Sequence, residues 1–532
     1  MPVAIGIDLG ITHASVATLR SGDIEIIPDA QGRQRIPCTQ LLGDQVDGIG
    51  AVAKLGITRV GTRDMCDVAL PLMSKQNVTT ILSRLKALAE SYLHQPVEDV
   101  VITVPASSND FQRQMTRDAG RIAGLNILRL LNAPTAAGIA QWMDRPRNVM
   151  YYMLVLDVGA SRADATLLEV CAGMFEVKSS AGDTRLGGRG YDSKLLQYLA
   201  LEAQDERLMI NQQPLPLVLE AAEQLKISLS VNELSQLGDL PVARSRFEGI
   251  CEESFEATAE LVSRVLRDAN VNKATVKEVV LVGSSTRIPK LQQVISDFFD
   301  HSSSEIHHPD MASVRGAALQ ASSLSETCIF HELLVMDIVV DSIHVEMPPG
   351  ILIQLWPRNT LIIRESSVSI TFRSCMDLPR HLRLLEGDIG SANVLGVFDL
   401  TPLHSHLRVN RGLIIEVKAA VDLDGVVDAS IVMRNPGTGT EATIPLQKDP
   451  LLCHRHEQSY TKQSNIAGSN NKGQSEGLLH SYISFLRTLS IGLATRQQES
   501  LWTAINQAEL ELNSGQNKND HTDRLVLESL IR

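Results

Sequence analysis

Two acids stand in the same place in two copies of one pattern. The first copy is residues 4–19, AIGIDLGITHASVATL, and the second is residues 153–168, MLVLDVGASRADATLL. Each reads as an apolar run, an Asp, any residue, a Gly, a turn and a second run. Asp8 therefore corresponds to Asp157, and Gly10 to Gly159. A strand that ends in an acid and turns through a glycine lets backbone N–H groups approach a phosphate. The acid can hold a hydrated divalent cation, which prefers oxygen ligands. Two such hairpins facing each other would clamp a nucleoside triphosphate from both sides. One Asp-x-Gly carries little information, but two in register, each after an apolar run, point to a nucleotide clamp.

The elements that must position these groups alternate along the first 330 residues. Residues 100–104 predict a short apolar strand. Ser108 or Asn109 then caps a helix that sets Phe111, Met115, Ala119 and Ile122 on one face and ends at Gly124. Asn132-Ala133-Pro134 opens a further helix, with Pro134 in the first turn, where its missing N–H costs nothing. Ile81, Leu85, Leu88 and Tyr92 mark another amphipathic helix. Residues 151–156 and 279–282 are continuous apolar runs of the kind found in fully buried sheets. The alternation predicts an α/β domain with a mainly parallel core.

Near residue 332 the texture changes. Residues 332–337, ELLVMD, are a short apolar run between acids. Alternating strands and turns follow to about residue 446, among them 367–372, 412–421 before Asp424-Gly425, and 429–433 before Pro436-Gly437. That pattern predicts an antiparallel β domain. Residues 457–478 are rich in Ser, Asn, Gln, Lys and Gly and read as disordered, and roughly 481–512 read as helical before a polar tail.

At 532 residues the chain is too long for one core, and 44% hydrophobic residues are enough for most of it to fold. A formal charge of −13 argues against a nucleic-acid partner. Seven scattered cysteines without a Cys-x-x-Cys pair read as reduced and intracellular. No run reaches membrane-spanning length, and the N-terminus enters a strand directly, so the expectation is a cytoplasmic protein without a membrane contact. Cys453-His454-Arg455-His456 carries metal-capable side chains, but its spacing suits no standard zinc site.

Read in order, these pieces resemble the heat shock 70 kDa family, the DnaK-like chaperones, which use an actin-like ATPase. The resemblance rests on GIDLGITHASVA (6–17), VVITVPASSNDFQRQMTRDAGRIAGLNILRLLNAPTAAGIA (100–140), LDVGASRADATLLEV (156–170), GDTRLGGRGYD (182–192), AAEQLKISLS (221–230) and VLVGSSTRIPKLQ (280–292). PRNTLIIRESSVSITF (357–372) and LGVFDLTPL (395–403) look like the family's peptide-binding β domain. The resemblance implies an actin-like two-lobed α/β ATPase domain over 1–330 and an interdomain linker at 331–338. It further implies an antiparallel β-sandwich over 339–447 and a partly disordered, short helical lid-like segment over 448–532.

Carried over residue by residue, Asp8 and Asp157 match the acids that hold the water shell of a magnesium ion at the catalytic centre. Gly10, Thr12, Gly159, Gly187 and Gly188 match phosphate-loop positions. Glu223, Lys226 and Ser230 match the adenosine-binding helix, and Gly283, Ser284, Arg287 and Asp310 its opposite wall. His13 reads as a lining of the ATP loop rather than as a base. Pro105 and Arg113, with Leu333 and Leu334 of the linker, match a relay of nucleotide state. Ile343, Val345 and Met347 are the expected peptide-cleft residues.

The departures bear on catalysis. Ala133 stands where the family's Asn-Glu-Pro carries a glutamate. Gly159-Ala160-Ser161-Arg162 replaces a Gly-Gly-Gly-Thr loop and brings a cation to the γ-phosphate position. Ile11 replaces a threonine, Ser284 a glycine of the adenine loop, and Ile227 an arginine that stacks on adenine. The stretch between Lys54 and Val100 is shorter than in the family and lacks the context of its catalytic lysine; Lys54 and Lys75 are the nearest candidates. The expectation is a chaperone that binds ATP or ADP with magnesium, holds extended apolar segments of unfolded or nascent polypeptides, and hydrolyses ATP weakly or not at all. J-domain co-chaperones, nucleotide-exchange factors and a stress response are what the resemblance implies around it. A non-hydrolysing, ribosome-associated co-chaperone or scaffold is the alternative. An actin-like small-molecule kinase is a third, disfavoured by the linker and β domain.

Overall fold

The computed structural model describes residues 3–42, 74–144, 149–202, 209–210, 213–214, 216–237, 240–299, 309–325, 333–347, 350–362, 365–372, 378–387, 392–401, 413–434 and 441–448. Both acid-bearing runs form hairpins in the same register. Val3–Leu9 pairs antiparallel with His13–Arg20, so that Asp8 faces Ser15. Tyr151–Val158 pairs with Ala163–Cys171, so that Asp157 faces Asp164.

Each hairpin is the seed of a sheet. In the first, Val3–Leu9 adds Val97–Val104 and then Asn126–Asn132 in parallel, while His13–Arg20 adds Asp23–Ile26. In the second, Tyr151–Val158 adds Val276–Val282 in parallel, and Ala163–Cys171 adds Met174–Asp183 antiparallel. Both sheets are thus mixed, and the expected mainly parallel core is corrected. A three- or four-residue turn after the acid can only return the chain antiparallel; parallel neighbours need the longer helical crossovers.

The helices Ala133–Asp144 and Ala312–Leu324 pack between the sheets, with Ala136, Ala137 and Ala317 buried against Met153 and Val155. The first lobe closes over Ile5, Ile7 and Val16 with Ile81 and Leu85 of the helix Lys75–Leu93. Tyr92, expected on that buried face, is 37% exposed and donates its hydroxyl to Glu25 Oε1 at 2.7 Å. The second lobe closes over Leu154, Leu167, Phe247, Phe255 and Leu291.

The helix Asp110–Ile122 has the predicted start: Gln112 N donates to Asn109 Oδ1 at 2.9 Å and Asn109 N to Gln112 Oε1 at 3.2 Å. Its packing differs from the expectation. Met115 and Ala119 pack on the first lobe's core as expected, but Phe111 and Ile122 are exposed, while Asp110, Arg113 and Thr116 are buried. The reason is tertiary, because this polar face meets the β domain.

That domain is two four-stranded antiparallel sheets. One runs Ile351–Trp356, Ile343–Met347, His381–Glu386, Asn393–Asp399. The other runs Glu365–Phe372, Leu413–Val421, Val427–Arg434, Glu441–Pro445. Their inner faces share Leu382, Leu384, Phe398, Ile415, Val417 and Ile431. Between the two domains, Leu334–Met336 adds to the second lobe's sheet as a parallel edge strand beside Met174–Asp183. Lys54, Pro436-Gly437, the Cys453–His456 segment, the 457–478 stretch and the 481–512 helix lie outside the described residues. No helix among the described residues is long and apolar enough to cross a membrane.

Candidate functional site

The two hairpin turns close alike. Gly10 N donates to His13 O at 3.1 Å and Gly159 N to Arg162 O at 3.0 Å. Within each turn the intervening amides, Ile11 and Thr12 in one and Ala160 and Ser161 in the other, donate to no group among the described residues. Unspent N–H groups on a tight turn are what an anion needs. The second turn is braced from beside it by Gly188 N to Gly159 O at 3.0 Å, Arg189 N to Ala160 O at 2.7 Å, and Ser285 Oγ to Gly159 O at 2.9 Å. Gly283 has φ +83°, and a Cβ there would lie 2.4 Å from Val158 O and 2.6 Å from Asp157 Oδ1. The loop that Gly283 opens can therefore approach Asp157 this closely only through glycine.

Asp8 and Asp157 come together on that floor. Each keeps some surface in the cleft, yet the protein around it strips most of its solvation. Burial raises Asp8 above the usual carboxylate range, against the hydroxyl that Thr103 donates to its Oδ1 at 2.6 Å. Asp157 is pushed up to about 7, first by burial and then by Asp164 and Asp8, with Arg162 opposing. A divalent cation bound through water to one or two carboxylates and to ligand phosphates would relieve this repulsion, so the pair fits magnesium. No group of three or more His, Cys, Asp or Glu poised to hold a metal on its own occurs among the described residues.

The opposite end of the cleft carries the remaining expected residues. Lys226 is buried; its Nζ lies 2.7 Å from Asp192 Oδ1 and donates to Gly188 O at 3.1 Å. Burial raises Asp192 to about 6, while Lys226 holds it down. Ser230 donates its hydroxyl to Lys226 O at 2.9 Å, and Glu223 is exposed on the same helix, Pro216–Val231. Across from it, Asp310 accepts from Ser284 Oγ at 3.0 Å and Arg287 Nη2 at 2.6 Å, with Arg35 at 3.7 Å. His13 meets the Thr12 hydroxyl at 3.1 Å, and burial with Arg35 lowers its pKa. Cys38, below the first turn, and Cys251 are buried thiols pushed up to about 12, which leaves them unreactive.

The departures occupy definite places. Ala133 begins its helix without a carboxylate, and its carbonyl accepts from Ser313 Oγ at 3.3 Å. The Arg162 side chain turns back onto Asp164, with Nε 3.0 Å from Oδ2, and donates through Nη2 to Ser107 Oγ. Ser107 in turn donates to Asp164 Oδ1.

The residues expected to form a relay are contiguous. Pro105 O accepts from Ser108 N at 3.0 Å. Arg113 donates to Ser108 O at 3.0 Å, Ala106 O at 3.1 Å, Asn132 Oδ1 at 2.7 Å and Asp424 O at 3.1 Å. Asn132 Nδ2 donates to both carboxylate oxygens of Asp337 at 2.9 Å. Leu333 packs against the core between the sheets, whereas Leu334 is 54% exposed and Val335 is buried. Sequence reasoning missed Arg129, whose guanidinium donates twice to Val335 O at 3.2 Å, and also Asp164, Ser107, Thr103 and Asp192. Only Asp164 had a local signal, as a second acid seven residues after Asp157 in its hairpin.

Ile343, Val345 and Met347 are not on an open cleft. They are buried in the sandwich core, at 0, 0 and 3% exposure, on a strand paired on both sides.

Comparison with known proteins agrees with this geometry. The model of the Hsp70 protein family matches residues 4–66 and 61–480. The chain is similar to the heat shock 70 kDa protein of Emericella nidulans, 33% identical over 511 residues, covering 85% of this chain and 79% of the relative. It is similar to the chaperone protein DnaK of Trichormus variabilis, 33% identical over 510 residues, covering 84% and 72%. It is also 31% identical over 592 aligned positions to a heat shock protein of Pyricularia oryzae, covering 97% and 95%.

Proposed function

The chain belongs to the Hsp70 family, and from that premise we propose that it is a nucleotide-binding chaperone whose cleft takes ATP or ADP with magnesium. The single observation that carries this reading is the convergence of two hairpin turns, closed by the same hydrogen bond and with unspent amides, on the Asp8–Asp157 pair. Asp8 and Asp157 would hold the magnesium through water. Bound there, the ion would neutralise phosphate charge and the two acids. Gly10, Thr12, Gly159, Gly187 and Gly188 line the phosphates, and Glu223, Lys226, Ser230, Gly283, Ser284, Arg287 and Asp310 the nucleoside.

Hydrolysis is slow or absent in this reading. Phosphoryl transfer is mostly positioning and charge stabilisation, and losing one positioned group typically costs about 10²–10³ in rate. Here the glutamate is replaced by Ala133 and the loop hydroxyl by Arg162. The β-sandwich would hold an extended apolar segment by main-chain pairing, under the influence of the linker at 331–338. Unfolded or nascent chains, J-domain partners and exchange factors, in the cytoplasm, follow from the same reading.

A second reading, a non-hydrolysing co-chaperone or scaffold, is favoured by Arg162, because its guanidinium is spent on Asp164 and Ser107. Titration calorimetry with ATP and with ADP, followed by single-turnover hydrolysis, separates the two. Nucleotide binding with turnover at the rate of an ordinary member supports the first. Binding without turnover supports the second. No heat and no thermal shift at millimolar ATP would sink both.

A further inference from the structure

Arg162 belongs to the second lobe's hairpin, and Ser107 to the first lobe's loop after the strand Val97–Val104. They are 55 residues apart in sequence and joined by the guanidinium Nη2 and the Ser107 hydroxyl. Asp164 completes a three-membered bridge between the lobes, receiving both Ser107 Oγ and the Arg162 charge. Its side chain is 4% exposed and that of Arg162 is 16% exposed, so the bridge is largely sheltered from water. Room for it is built in. A Cβ on Gly182 would lie 2.1 Å from Asp164 Oδ1 and 2.3 Å from Ser107 Oγ.

Ser107 is held from its other side by the relay. Its two neighbours, Ala106 and Ser108, both give their carbonyls to Arg113. Arg113 continues to Asn132, which donates to Asp337 beside the linker strand, and to the Asp424 carbonyl of the β domain. A continuous polar chain therefore runs from the nucleotide cleft to the docked linker, and its first link is a side chain of the protein rather than a ligand.

We propose that Arg162 is a built-in latch: by donating across the lobes to Ser107 while its charge braces Asp164, which Ser107 also bonds, it holds the lobes closed and the linker docked without nucleotide. A two-state element responds to a ligand only as far as the ligand prefers one state. A latch that already favours the closed state leaves nucleotide little to add. The device also gives the loss of hydrolytic groups a consequence, because the docked form no longer depends on a phosphate that can be cleaved.

The test is hydrogen exchange at residues 333–336 in the full chain, measured without nucleotide and again with ATP. The wild type should be protected without nucleotide, with ATP slowing exchange by less than about threefold. Arg162→Thr should exchange at least about tenfold faster without nucleotide and regain protection when ATP is added. Ser107→Ala leaves the second lobe's hairpin intact and guards against a folding defect; it should lose the same protection. Free exchange of the linker in nucleotide-free wild type overturns the proposal. So does wild-type protection in both variants. Because the first readout uses no nucleotide, its failure is distinct from a failure of ATP binding.

Discussion

Asp110 opens a helix of the first lobe, yet its carboxylate belongs to the β domain: both oxygens lie 2.9 Å from Lys448 Nζ, 338 residues away. The same carboxylate accepts from Val427 N at 2.7 Å, and Asp110 N donates to Glu386 Oε2 at 3.1 Å. Arg117 adds ion pairs to Asp422 at 2.5 Å and Asp424 at 3.5 Å. On the second lobe, Arg358 pairs with Asp268 at 2.7 Å. The contact between the domains is thus anchored at a few polar points, beside an apolar patch where Ile338, Val340 and Leu361 pack into the core between the two sheets.

Asp110→Ala should separate the domains. It removes acceptors from a buried backbone N–H and from a partly buried ammonium, a loss of about 1–3 kcal/mol in docking. Small-angle scattering should show an increased radius of gyration, and hydrogen exchange should rise at residues 427–434. An unchanged radius together with unchanged exchange would show that Asp110 does not anchor the docked form.

Docking should weaken as pH rises. Glu386 is pushed up from 4.5 to about 8 by burial, with the like charges of Asp110 and Asp341 adding and Arg113 opposing. A carboxyl raised in the docked form binds its proton more tightly there than when exposed. Its contribution is full below about 4.5 and is lost as pH climbs through about 8. The radius of gyration should therefore be smaller at pH 6.5 than at pH 8.5, and Glu386→Gln should flatten that difference. A pH response that persists in the glutamine variant would assign it to another group.

Nucleotide binding should depend on Asp157 chiefly when magnesium is present. Asp157→Ala removes one of the two carboxylates on the cleft floor and relieves Asp8 of a neighbouring charge. Calorimetry should show ATP affinity falling at least tenfold with magnesium and much less in its absence. Wild-type protein at 100 times its dissociation constant of ATP should gain about 2.7 kcal/mol, readable as a rise in melting temperature. Equal loss with and without the ion would mean that Asp157 acts on the nucleotide directly.

Restoring one catalytic group should recover little. Ala133→Glu returns a carboxylate to the start of its helix but leaves Arg162 turned onto Asp164. Groups that act as a unit are not additive, so the single change should raise the single-turnover rate less than about tenfold. A recovery of 10² or more would place the whole deficit at Ala133.

Val335→Asp should undock the linker. Val335 is 5% exposed on the edge strand, and its carbonyl takes both Arg129 donors. Burying a carboxylate there is too costly for the strand to stay paired. Exchange at residues 333–336 should become fast while calorimetric ATP binding persists. Loss of both together would mean that the variant fails to fold, and Leu334→Asp, at a 54% exposed position, serves as its control.

By itself the sequence determined what is local. The duplicated hairpins, the capping box at Asn109, the strand and helix alternation, the Asp424-Gly425 turn and the linker as a short extended run all follow from spacing and turn chemistry. Through the resemblance of their segments to a known family it also singled out Asp8, Asp157 and the residues expected to flank a nucleoside. Ile343, Val345 and Met347 are expected on a peptide cleft; pairing on both edges and packing in one cluster with Phe398 and Ile415 put them inside the sandwich instead. Periodicity chose the apolar face of the helix Asp110–Ile122 for burial, and Met115 and Ala119 do pack on the first lobe's core, but Phe111 and Ile122 are exposed while the polar residues Asp110 and Arg113 are buried at the β domain. Arg162 stood in the sequence as a cation near a phosphate. Only the tertiary structure brought Ser107 and Asp164 to it, because a guanidinium among buried groups settles on the acceptors that the fold places within reach, and sequence distance does not report which those are.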